Sequence, residues 1–257
     1  MAKIIAITNQ KGGVGKTTTS VNLTAILADM GMKVLVVDLD PQGNTTSGLG
    51  MTVKDRSIYE VIMGREPMKK CIQKTDVKRL DIAGADIRLA GAELELVGVE
   101  QREYRLKNAL TTVQKDYDFI FIDCPPSLSL LTLNALTACD RVLIPIQCEY
   151  YALEGVTSLM NTVSRVKKTF NPGIDIEGIL LTMLDGRTNL GLQVVDEVKK
   201  HFKKKTFATT IPRNVRLGEA PSHGEPIHVY DPKSTGAAAY RALAAEVLER
   251  NGMKARK

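Results

Sequence analysis

The chain of 257 residues can bury a sizeable core as one α/β domain over residues 1–257, and 44% hydrophobic with 25% charged residues is ordinary for a soluble protein. No apolar run approaches the roughly 20 residues that cross a bilayer, and a strand predicted from Lys3 leaves no room for a signal peptide, so we expect a cytoplasmic protein. The net charge of +6 comes from residues 151–257, where 17 Lys and Arg outnumber 11 Asp and Glu. This excess indicates either a basic face for a polyanionic partner or an unevenly charged solvated surface.

A glycine-rich loop lies near the start of the chain. Residues 10–18 read QKGGVGKTT, between a predicted strand over 3–8 and a predicted helix over 19–30. This context is typical of a phosphate-binding loop, because glycines let backbone N–H groups turn inward and the helix N-terminus attracts anions. We expect Lys16 to contact phosphates and the Thr17 hydroxyl to bind Mg²⁺.

The loop departs from the usual G-x-x-x-x-G-K-[ST] pattern, since Gln10 stands at the first glycine position and Lys11 precedes the glycine pair. With this lysine and these flanks, the sequence resembles the ParA/MinD family of ATPases, whose deviant Walker A loop carries the same extra lysine. The resemblance implies a single doubly wound domain of the P-loop NTPase type, with a mostly parallel twisted sheet flanked by helices. It also implies that ATP is bound by Lys11, Gly12, Gly13, Val14, Gly15, Lys16, Thr17 and Thr18.

The second predicted strand, residues 33–37, runs into the motif DLDPQGN at residues 38–44. Acids just past a buried strand lie where open α/β sheets bind ligands, but they can also serve only to hydrogen-bond a turn. The family resemblance implies that Asp40 orients the water that attacks the γ-phosphate. Asp38 would then support the metal or the phosphate loop indirectly.

Residues 45–116 show no catalytic pattern. Periodicity predicts short helices over 57–63, 89–97 and 102–113, and a short strand over 80–83. We expect this region to cover the sheet and to form part of a partner surface.

Another apolar run that ends in an acid, residues 117–123, predicts a buried strand. Buried strands often end in aspartate, so the pattern gains meaning only beside the phosphate loop. With that loop, Asp123 is expected to hold Mg²⁺ through water or through Thr17.

The rest of the chain alternates helices, predicted over 130–138, 149–170 and 190–202, with strands over 141–146 and 176–183. Five lysines cluster at the end of the third of these helices: Lys199, Lys200, Lys203, Lys204 and Lys205. They either complement the helix dipole or contact phosphate groups.

A short strand predicted over 207–211 leads into the run IPRNVR, which, with later SHG and YDP motifs, closely resembles the chromosomal ParA branch called Soj. In the ParA/MinD family this strand-end segment packs against the adenine, with the positions of Pro212 and Arg213 near the base. In the Soj branch, two arginines matching Arg187 and Arg216 contribute to DNA binding. A surface ion pair is the alternative for Arg216.

The resemblance implies a partitioning cycle with ATP and Mg²⁺ as cofactors. Two subunits close face to face, Lys11 of each reaches the partner's phosphates, and Gly12 keeps the contact surface clear. Lys11 is then spare within its own subunit. The homodimer binds double-stranded DNA non-specifically on the nucleoid, and a ParB-type protein stimulates an otherwise slow hydrolysis that releases monomers. Whether the protein also regulates replication initiation or sporulation stays open.

A MinD-like, membrane-associated division regulator is the alternative. It would need an amphipathic C-terminal helix, whereas the chain ends in a helix predicted over 234–251 and a basic tail from about residue 252. After Leu248 the only apolar side chains are Met253 and Ala255, so we expect no stable membrane association.

A metabolic enzyme is a further alternative. A small-molecule kinase needs a lid or substrate pocket that the sequence does not reveal. A nucleotide-driven electron donor needs cluster cysteines, whereas Cys71, Cys124, Cys139 and Cys148 are scattered and read as reduced buried thiols.

Overall fold

The computed structural model describes residues 1–149 and 152–256, apart from the side chains of Ala152 and Leu190. The strands in this part of the chain are β1 (Lys3–Ile7), β2 (Val34–Asp38), β3 (Ile72–Lys74), β4 (Leu80–Ala83), β5 (Phe119–Asp123), β6 (Arg141–Gln147), β7 (Asp175–Leu184) and β8 (Thr206–Pro212). They form one sheet in the order β3-β4-β2-β5-β1-β6-β7-β8. All neighbouring pairs are parallel except β3 with β4, at one edge.

Helices connect these strands. The helices among the described residues are α1 (Lys16–Asp29), α2 (Asn44–Gly48), α3 (Ile58–Ile62), α4 (Met68–Cys71), α5 (Leu89–Glu95), α6 (Arg105–Leu110), α7 (Leu130–Ala138), α8 (Ala152–Thr169), α9 (Asn189–Phe202), α10 (Val215–Glu219), α11 (Ile227–Tyr230) and α12 (Thr235–Arg250). Short 3₁₀ turns occupy Arg102–Tyr104, Lys203–Lys205 and Ala220–His223.

The central strands are uniformly apolar because both faces of the sheet are covered. In β1, Ile4 and Ala6 pack into a cluster with α3 and α5–α9, whereas Ile5 and Ile7 pack into a second cluster with α1 and α10–α12. Alternate residues of a strand point to opposite faces, so a buried strand between two helical layers needs apolar residues at every position. The predicted doubly wound α/β fold is confirmed.

The register of the sheet brings the functional motifs together. In the parallel ladder, Asp123 at the end of β5 is opposite Ile7 of β1 on one side and opposite Asp38 of β2 on the other. The glycine-rich loop follows β1 directly. The loop and the two acidic strand ends therefore meet at the carboxyl edge of the sheet, where open α/β sheets bind ligands.

Most predicted elements are present, with shifted ends. Helix α1 begins at Lys16 instead of residue 19. The described part of α8 is Ala152–Thr169, against a prediction of 149–170, and Tyr150 and Tyr151 lie outside the described residues. Strand β3 and the short helices α2, α4, α10 and α11 were not predicted. No helix in the described part of the chain is long and apolar enough to cross a membrane.

The cysteines follow the sequence prediction in most cases. Cys71, Cys124 and Cys139 are buried and free, and Cys148 is partly buried. Burial raises the pKa of each of these thiols, so all four are protonated, unreactive groups at neutral pH.

Candidate functional site

The phosphate loop has the backbone shape of an anion cradle. Gly13 and Gly15 have φ angles of 73° and 86°, in the left-handed region where a side chain would be strained. Gly15 directly precedes α1 and, having no side chain, leaves the first N–H groups of the helix available to a ligand. These N–H groups and the positive end of α1 point to the same place, which suits phosphate.

Lys16 stands at the start of α1 with only 7% of its surface exposed. Its Nζ donates to the carbonyl oxygen of Lys11 at 3.0 Å, across the loop. Burial lowers the pKa of the Lys16 ammonium, while nearby Asp123 and Asp40 oppose that shift. A desolvated cation held inside the loop is positioned to contact an anion that the loop encloses.

The sequence did not reveal the residue that anchors this loop to the sheet. The Thr182 hydroxyl, in β7, lies 2.9 Å from the Val14 carbonyl oxygen and 3.0 Å from that of Ile146 in β6. This buried side chain ties the middle of the loop to the sheet. A β-branched residue in an apolar strand gives no local signal of such a role, because the contact joins residues 168 positions apart.

Asp123 is the centre of the predicted metal site. One oxygen, Oδ2, accepts hydrogen bonds from the hydroxyls of Thr17 at 3.0 Å and of Thr45 at 2.6 Å. The other oxygen, Oδ1, is buried without a hydrogen-bond partner among the described residues. Burial raises the pKa of this carboxyl to about 6, against the hydrogen bonds from the two threonines, which lower it.

An orphaned buried carboxylate oxygen is costly unless a ligand satisfies it. Oxygen donors are the ligands that Mg²⁺ prefers, and it usually keeps several of its waters. Asp123 and Thr17 therefore fit a magnesium ion, and their role as the metal residues stays a prediction. Thr45 was not predicted, although it follows the DPQGN motif; its distance of 78 positions from Asp123 hides the contact.

The two acids after β2 have different environments. Asp38 is fully buried, and its oxygens accept from Thr46 N at 2.9 Å, from the Thr46 hydroxyl at 2.7 Å and from Asp40 N at 3.2 Å. Burial and the charge of Asp123 raise its pKa to about 7. Asp38 thus stabilises the turn that carries Thr45. Because Thr45 donates a hydrogen bond to Asp123, Asp38 supports the metal site indirectly.

Asp40 lies at the mouth of the site with 8% of its surface exposed. Its Oδ1 accepts from Gln42 N at 3.0 Å, which fixes the direction of the carboxylate. An oriented carboxylate beside the phosphate loop can hold a water molecule in place.

Lys11 and Gly12 lie on the open side of the loop. The Lys11 ammonium is paired with Glu149, Nζ to Oε2 at 2.6 Å. We expected Lys11 to have no partner within its own subunit, and this ion pair differs from that expectation. A Cβ added at Gly12 would find its nearest neighbour, Pro126 Cβ, at 4.0 Å, which is ordinary contact. The subunit itself therefore does not require glycine at position 12.

A cavity of about 200 Å³ opens beside the loop. It is lined by Gly15 and Thr18 on the loop side, and by Pro212, Arg213 and Tyr240 on the other side. The Arg213 backbone N–H donates to the Leu184 carbonyl oxygen at 3.0 Å, which joins the ends of β7 and β8. The predicted adenine residues thus border a pocket that continues from the phosphate cradle.

The two predicted DNA-binding arginines lie after β7 and β8, at the same edge of the sheet. The Arg187 side chain is 89% exposed and pairs with Asp185 at 2.8 Å. Arg216, in α10, pairs with Glu219 at 2.8 Å and lies 3.5 Å from Asp231. Both arginines are exposed and already have acidic partners, so the alternative of a surface ion pair holds for Arg216 in this isolated subunit.

Sequence comparison places this site in a known family. Residues 2–176 match the AAA domain family AAA_31. Soj of Bacillus subtilis (strain 168), a sporulation initiation inhibitor protein, is 61% identical over 249 residues, which are 96% of this chain and 98% of that protein. The chromosome partitioning protein ParA of Myxococcus xanthus is 51% identical, over 99% of this chain and 90% of its own.

Solved structures of related proteins share the fold. The septum site-determining protein MinD from Pyrococcus horikoshii, complexed with Mg-ADP, superimposes with a TM-score of 0.81 at 28% identity over the whole of both chains. Cobyrinic acid a,c-diamide synthase from Mycobacterium smegmatis, with ADP and magnesium, gives 0.85 at 38% identity over 100% of this chain and 99% of its own. With the phosphate loop, the Asp123 site and the curated relatives in agreement, the chain belongs to the Soj/ParA family of chromosome-partitioning ATPases.

Proposed function

We propose that this protein is an ATP-driven switch that binds DNA as a homodimer and leaves it after hydrolysis, and so partitions chromosomes or plasmids. The observation that carries the proposal is the Asp123 carboxylate, with one oxygen held by Thr17 and Thr45 and the other buried and unpartnered, directly beside the glycine loop. That arrangement suits a magnesium–nucleotide complex better than a purely structural role, which would satisfy both oxygens.

ATP binding follows from the shape of the site. The adenine enters the pocket bordered by Pro212 and Arg213, and the phosphates lie on the backbone N–H groups of residues 11–18. Lys16 donates to the phosphate oxygens in place of the Lys11 carbonyl that it contacts in the free subunit. Thr17 and Asp123 would hold Mg²⁺, directly or through water, and the ion would neutralise charge at the phosphate oxygens.

Hydrolysis needs a positioned water and a positive charge opposite the leaving group. Asp40, fixed by the Gln42 N–H, accepts a hydrogen bond from the attacking water and orients it. Lys11 releases Glu149 and reaches the phosphates of the facing subunit, where its charge offsets the charge that develops. Gly12 presents no side chain to that subunit, so the two loops can approach closely.

DNA binds to the dimer mainly through its phosphates and without sequence preference. Arg187 and Arg216 exchange their exposed carboxylate partners for DNA phosphates, and the basic excess of residues 151–257 adds to the attraction. A ParB-type centromere-binding protein stimulates hydrolysis, and the monomers leave the DNA. The protein is cytoplasmic, associated with the nucleoid, and has no stable association with membranes.

The test is a titration of a DNA duplex with ATP, ADP or no nucleotide, repeated over a range of salt concentrations. We expect tight binding with ATP alone and a steep loss of affinity with salt. Arg216→Glu should lose the ATP-dependent binding and keep dimerisation, whereas Lys69→Glu, the same charge reversal on distant α4, should behave as the wild type. Equal affinity in all three nucleotide states would contradict the proposal, and ATP-dependent binding to anionic lipid vesicles in place of DNA would favour a MinD-like role.

A further inference from the structure

An apolar groove of about 610 Å³ lies on the face of the sheet that α5, α7 and α8 cover. Leu130 and Leu133 of α7 line it together with Val166 of α8 and Phe170, and all four pack against the core of that face. Residues 93–103 border the groove on one side, and α8 borders it on the other. We call this concavity the α7 groove.

The rim of the α7 groove exposes apolar side chains. Leu94 of α5 is 79% exposed and Leu128, in the loop before α7, is 53% exposed, and both line the groove. Ile87 and Val97, at the two ends of the α5 segment, are also exposed. Isolated exposed aliphatic residues are ordinary on a protein surface, but two of them at the rim of one apolar concavity indicate an interaction site.

The charges of the groove select the class of ligand. Its charged lining residues are two acids and two bases, so the groove has no net charge with which to attract nucleic acid or an anionic membrane. Arg102 and Glu103 pair with each other at 3.3 Å. Glu93 on the α5 side and Arg165 on the α8 side form no ion pair in the part of the chain that the structure describes. An apolar protein segment with a base on one flank and an acid on the other would complement them.

A helical segment fits this surface better than an extended one. None of the residues that line the groove belongs to a strand, so a ligand cannot join the sheet there by β-pairing. The groove lies between helices. An amphipathic helix binds such a surface by laying its apolar face into it, with anchors three or four residues apart.

A second copy of this chain lacks a matching element outside the groove's own surroundings. Away from Leu128 and the α5 segment, the large hydrophobic side chains exposed in the described residues are Met1, Leu192, Val215 and Val229. These four residues belong to different elements of the fold. A helix-in-groove contact needs more than one anchor on one helical face, so the groove suits another protein better than a second copy.

The α7 groove adjoins the phosphate loop at two points. Thr162, in its α8 wall, lies 3.4 Å from Gln10, Oγ1 to Nε2, and Gln10 directly precedes the distinguishing lysine of the loop. Leu128 at the rim is two residues after Pro126, whose Cβ would be the nearest neighbour of a Cβ at Gly12. A ligand in the groove therefore contacts two segments that touch the loop.

We propose that the α7 groove binds an amphipathic helix of the ParB-type protein that stimulates hydrolysis. The apolar face of this helix covers Leu94, Leu128 and the groove floor, with a basic side chain at Glu93 and an acidic one at Arg165. The inference rests on the proposed function, from which it takes the stimulating partner. It adds the surface, the binding mode and the route by which the partner reaches the phosphate loop.

The first experiment compares Leu94→Asp with Leu192→Asp, a matched exposed leucine on α9. The purified ParB-type protein of the same organism is titrated against each variant with ATP, and its affinity and the rate of phosphate release are measured. We expect Leu94→Asp to bind the partner at least about tenfold more weakly, because a buried apolar anchor becomes a charge. Basal hydrolysis and ATP-dependent dimerisation should match the wild type in both variants.

The opposite side of the groove is tested by charge reversal. Arg165→Glu should also weaken binding of the partner, whereas Lys167→Glu, two residues further along α8 and outside the groove, should not. Equal affinity and stimulation for Leu94→Asp and the wild type would overturn the groove assignment and leave the proposed function standing. A ParB-type protein that fails to stimulate even the wild type would contradict the proposed function, and this inference with it.

A photo-cross-linker at position 94 identifies the occupant. Leu94→Cys and the control Leu192→Cys are labelled with a benzophenone maleimide, since burial keeps the four native thiols unreactive. We expect position 94, but not position 192, to cross-link to the purified ParB-type protein. A cross-link to a second copy of this chain, or to anionic lipid vesicles, in place of that protein would overturn the proposal.

Discussion

Lys11 Nζ lies 2.6 Å from Glu149 Oε2, so the lysine that distinguishes this phosphate loop is tethered within its own subunit. The two side chains are 50% and 44% exposed. In the proposed dimer Lys11 must leave this partner to reach the facing phosphates. Exposed ion pairs contribute less than about 1 kcal/mol, so the tether can delay the exchange but cannot prevent it.

Replacement of Glu149 tests this tether. Glu149→Gln should raise the affinity of ATP-dependent dimerisation by up to about twenty-five-fold, because two ion pairs, each contributing up to about fivefold, no longer have to break when two subunits meet. The dimer affinity is measured by light scattering in the presence of ATP over a series of protein concentrations. Glu154→Gln, an acid on the first turn of α8, is the control; a dimer weakened by Glu149→Gln would show that the acid supports the interface instead.

Gly12→Val should bind ATP normally and fail to dimerise. The subunit has room for a side chain at position 12, whose nearest neighbour is Pro126 Cβ at 4.0 Å, so a defect must come from the facing copy. Gly186→Val, where a side chain meets open space, should dimerise as the wild type does. An ATP-dependent Gly12→Val dimer in light scattering would rule out the proposed role of Gly12.

Asp40→Ala should bind ATP and accumulate as an ATP-bound dimer. Loss of a group that orients the attacking water should lower kcat by at least about a hundredfold. Asp40→Asn keeps an acceptor for the Gln42 N–H but not the charge, and should be similarly slow. For both variants, the rate of phosphate release measures hydrolysis and the amount of bound nucleotide measures the trapped dimer. Normal turnover in either variant would remove Asp40 from the mechanism.

Thr45→Val should raise the Mg²⁺ concentration needed for ATP hydrolysis by about tenfold. Removal of a group that orients a metal ligand typically lowers the metal affinity by about that factor or more. The substitution removes the 2.6 Å hydrogen bond to Asp123 and keeps the shape. Thr45→Ser should restore the hydrogen bond and the affinity. The matched control is Thr137→Val, since the buried Thr137 hydroxyl has no partner among the described residues.

The buried acids Asp38 and Asp123 make the ligand-free protein sensitive to pH. Their pKa values of about 7 and about 6 are raised above the ordinary range by burial and, for Asp38, by the neighbouring charge. A carboxyl whose pKa is raised by folding contributes stability that is present below its unfolded pKa and lost as pH rises through the folded value. Without Mg²⁺, this contribution is therefore lost between about pH 4, the ordinary pKa of an aspartate, and about pH 7, the folded pKa of Asp38.

Asp38→Asn removes one of the two charges. From about pH 5.5 to about pH 8, the Tm of the variant should fall less than that of the wild type, by roughly 3 °C. Calorimetry in EDTA without nucleotide measures the difference. Asp55→Asn, an exposed loop acid, should leave the wild-type dependence unchanged, and equal pH dependence in all three proteins would refute the assignment.

The fold was predictable where strands are buried on both faces. β2 and β5 are short continuous apolar runs, rich in β-branched or aromatic residues, that end in aspartate, and this combination favours a buried strand. β3 was missed because its three residues become a strand only by pairing antiparallel with β4. Its structure comes from a neighbour and not from its own pattern.

The site was predictable where its parts are close in sequence. Lys16 and Thr17 follow from the spacing of one loop, and Asp123 from the end of one strand. Thr45 and Glu149 could not be found in this way, since their contacts span 78 and 138 positions. Side chains that position another group across such distances leave no periodic or local signature.

The location of β1 bears on how the protein is made. β1 is synthesised before β2–β8, yet it lies in the middle of the sheet, where Lys3 is opposite Phe119 of β5 and Ile5 is opposite Arg141 of β6. The loop sequence is therefore synthesised more than about a hundred residues before the strands that hold it, and late non-local pairing of this kind is slow. A nascent chain that stops before Arg141 carries the phosphate loop and Asp123, but it lacks Thr182, which anchors the loop, and the adenine pocket. We therefore expect ATP to stabilise the chain only after the rest of the sheet has been made.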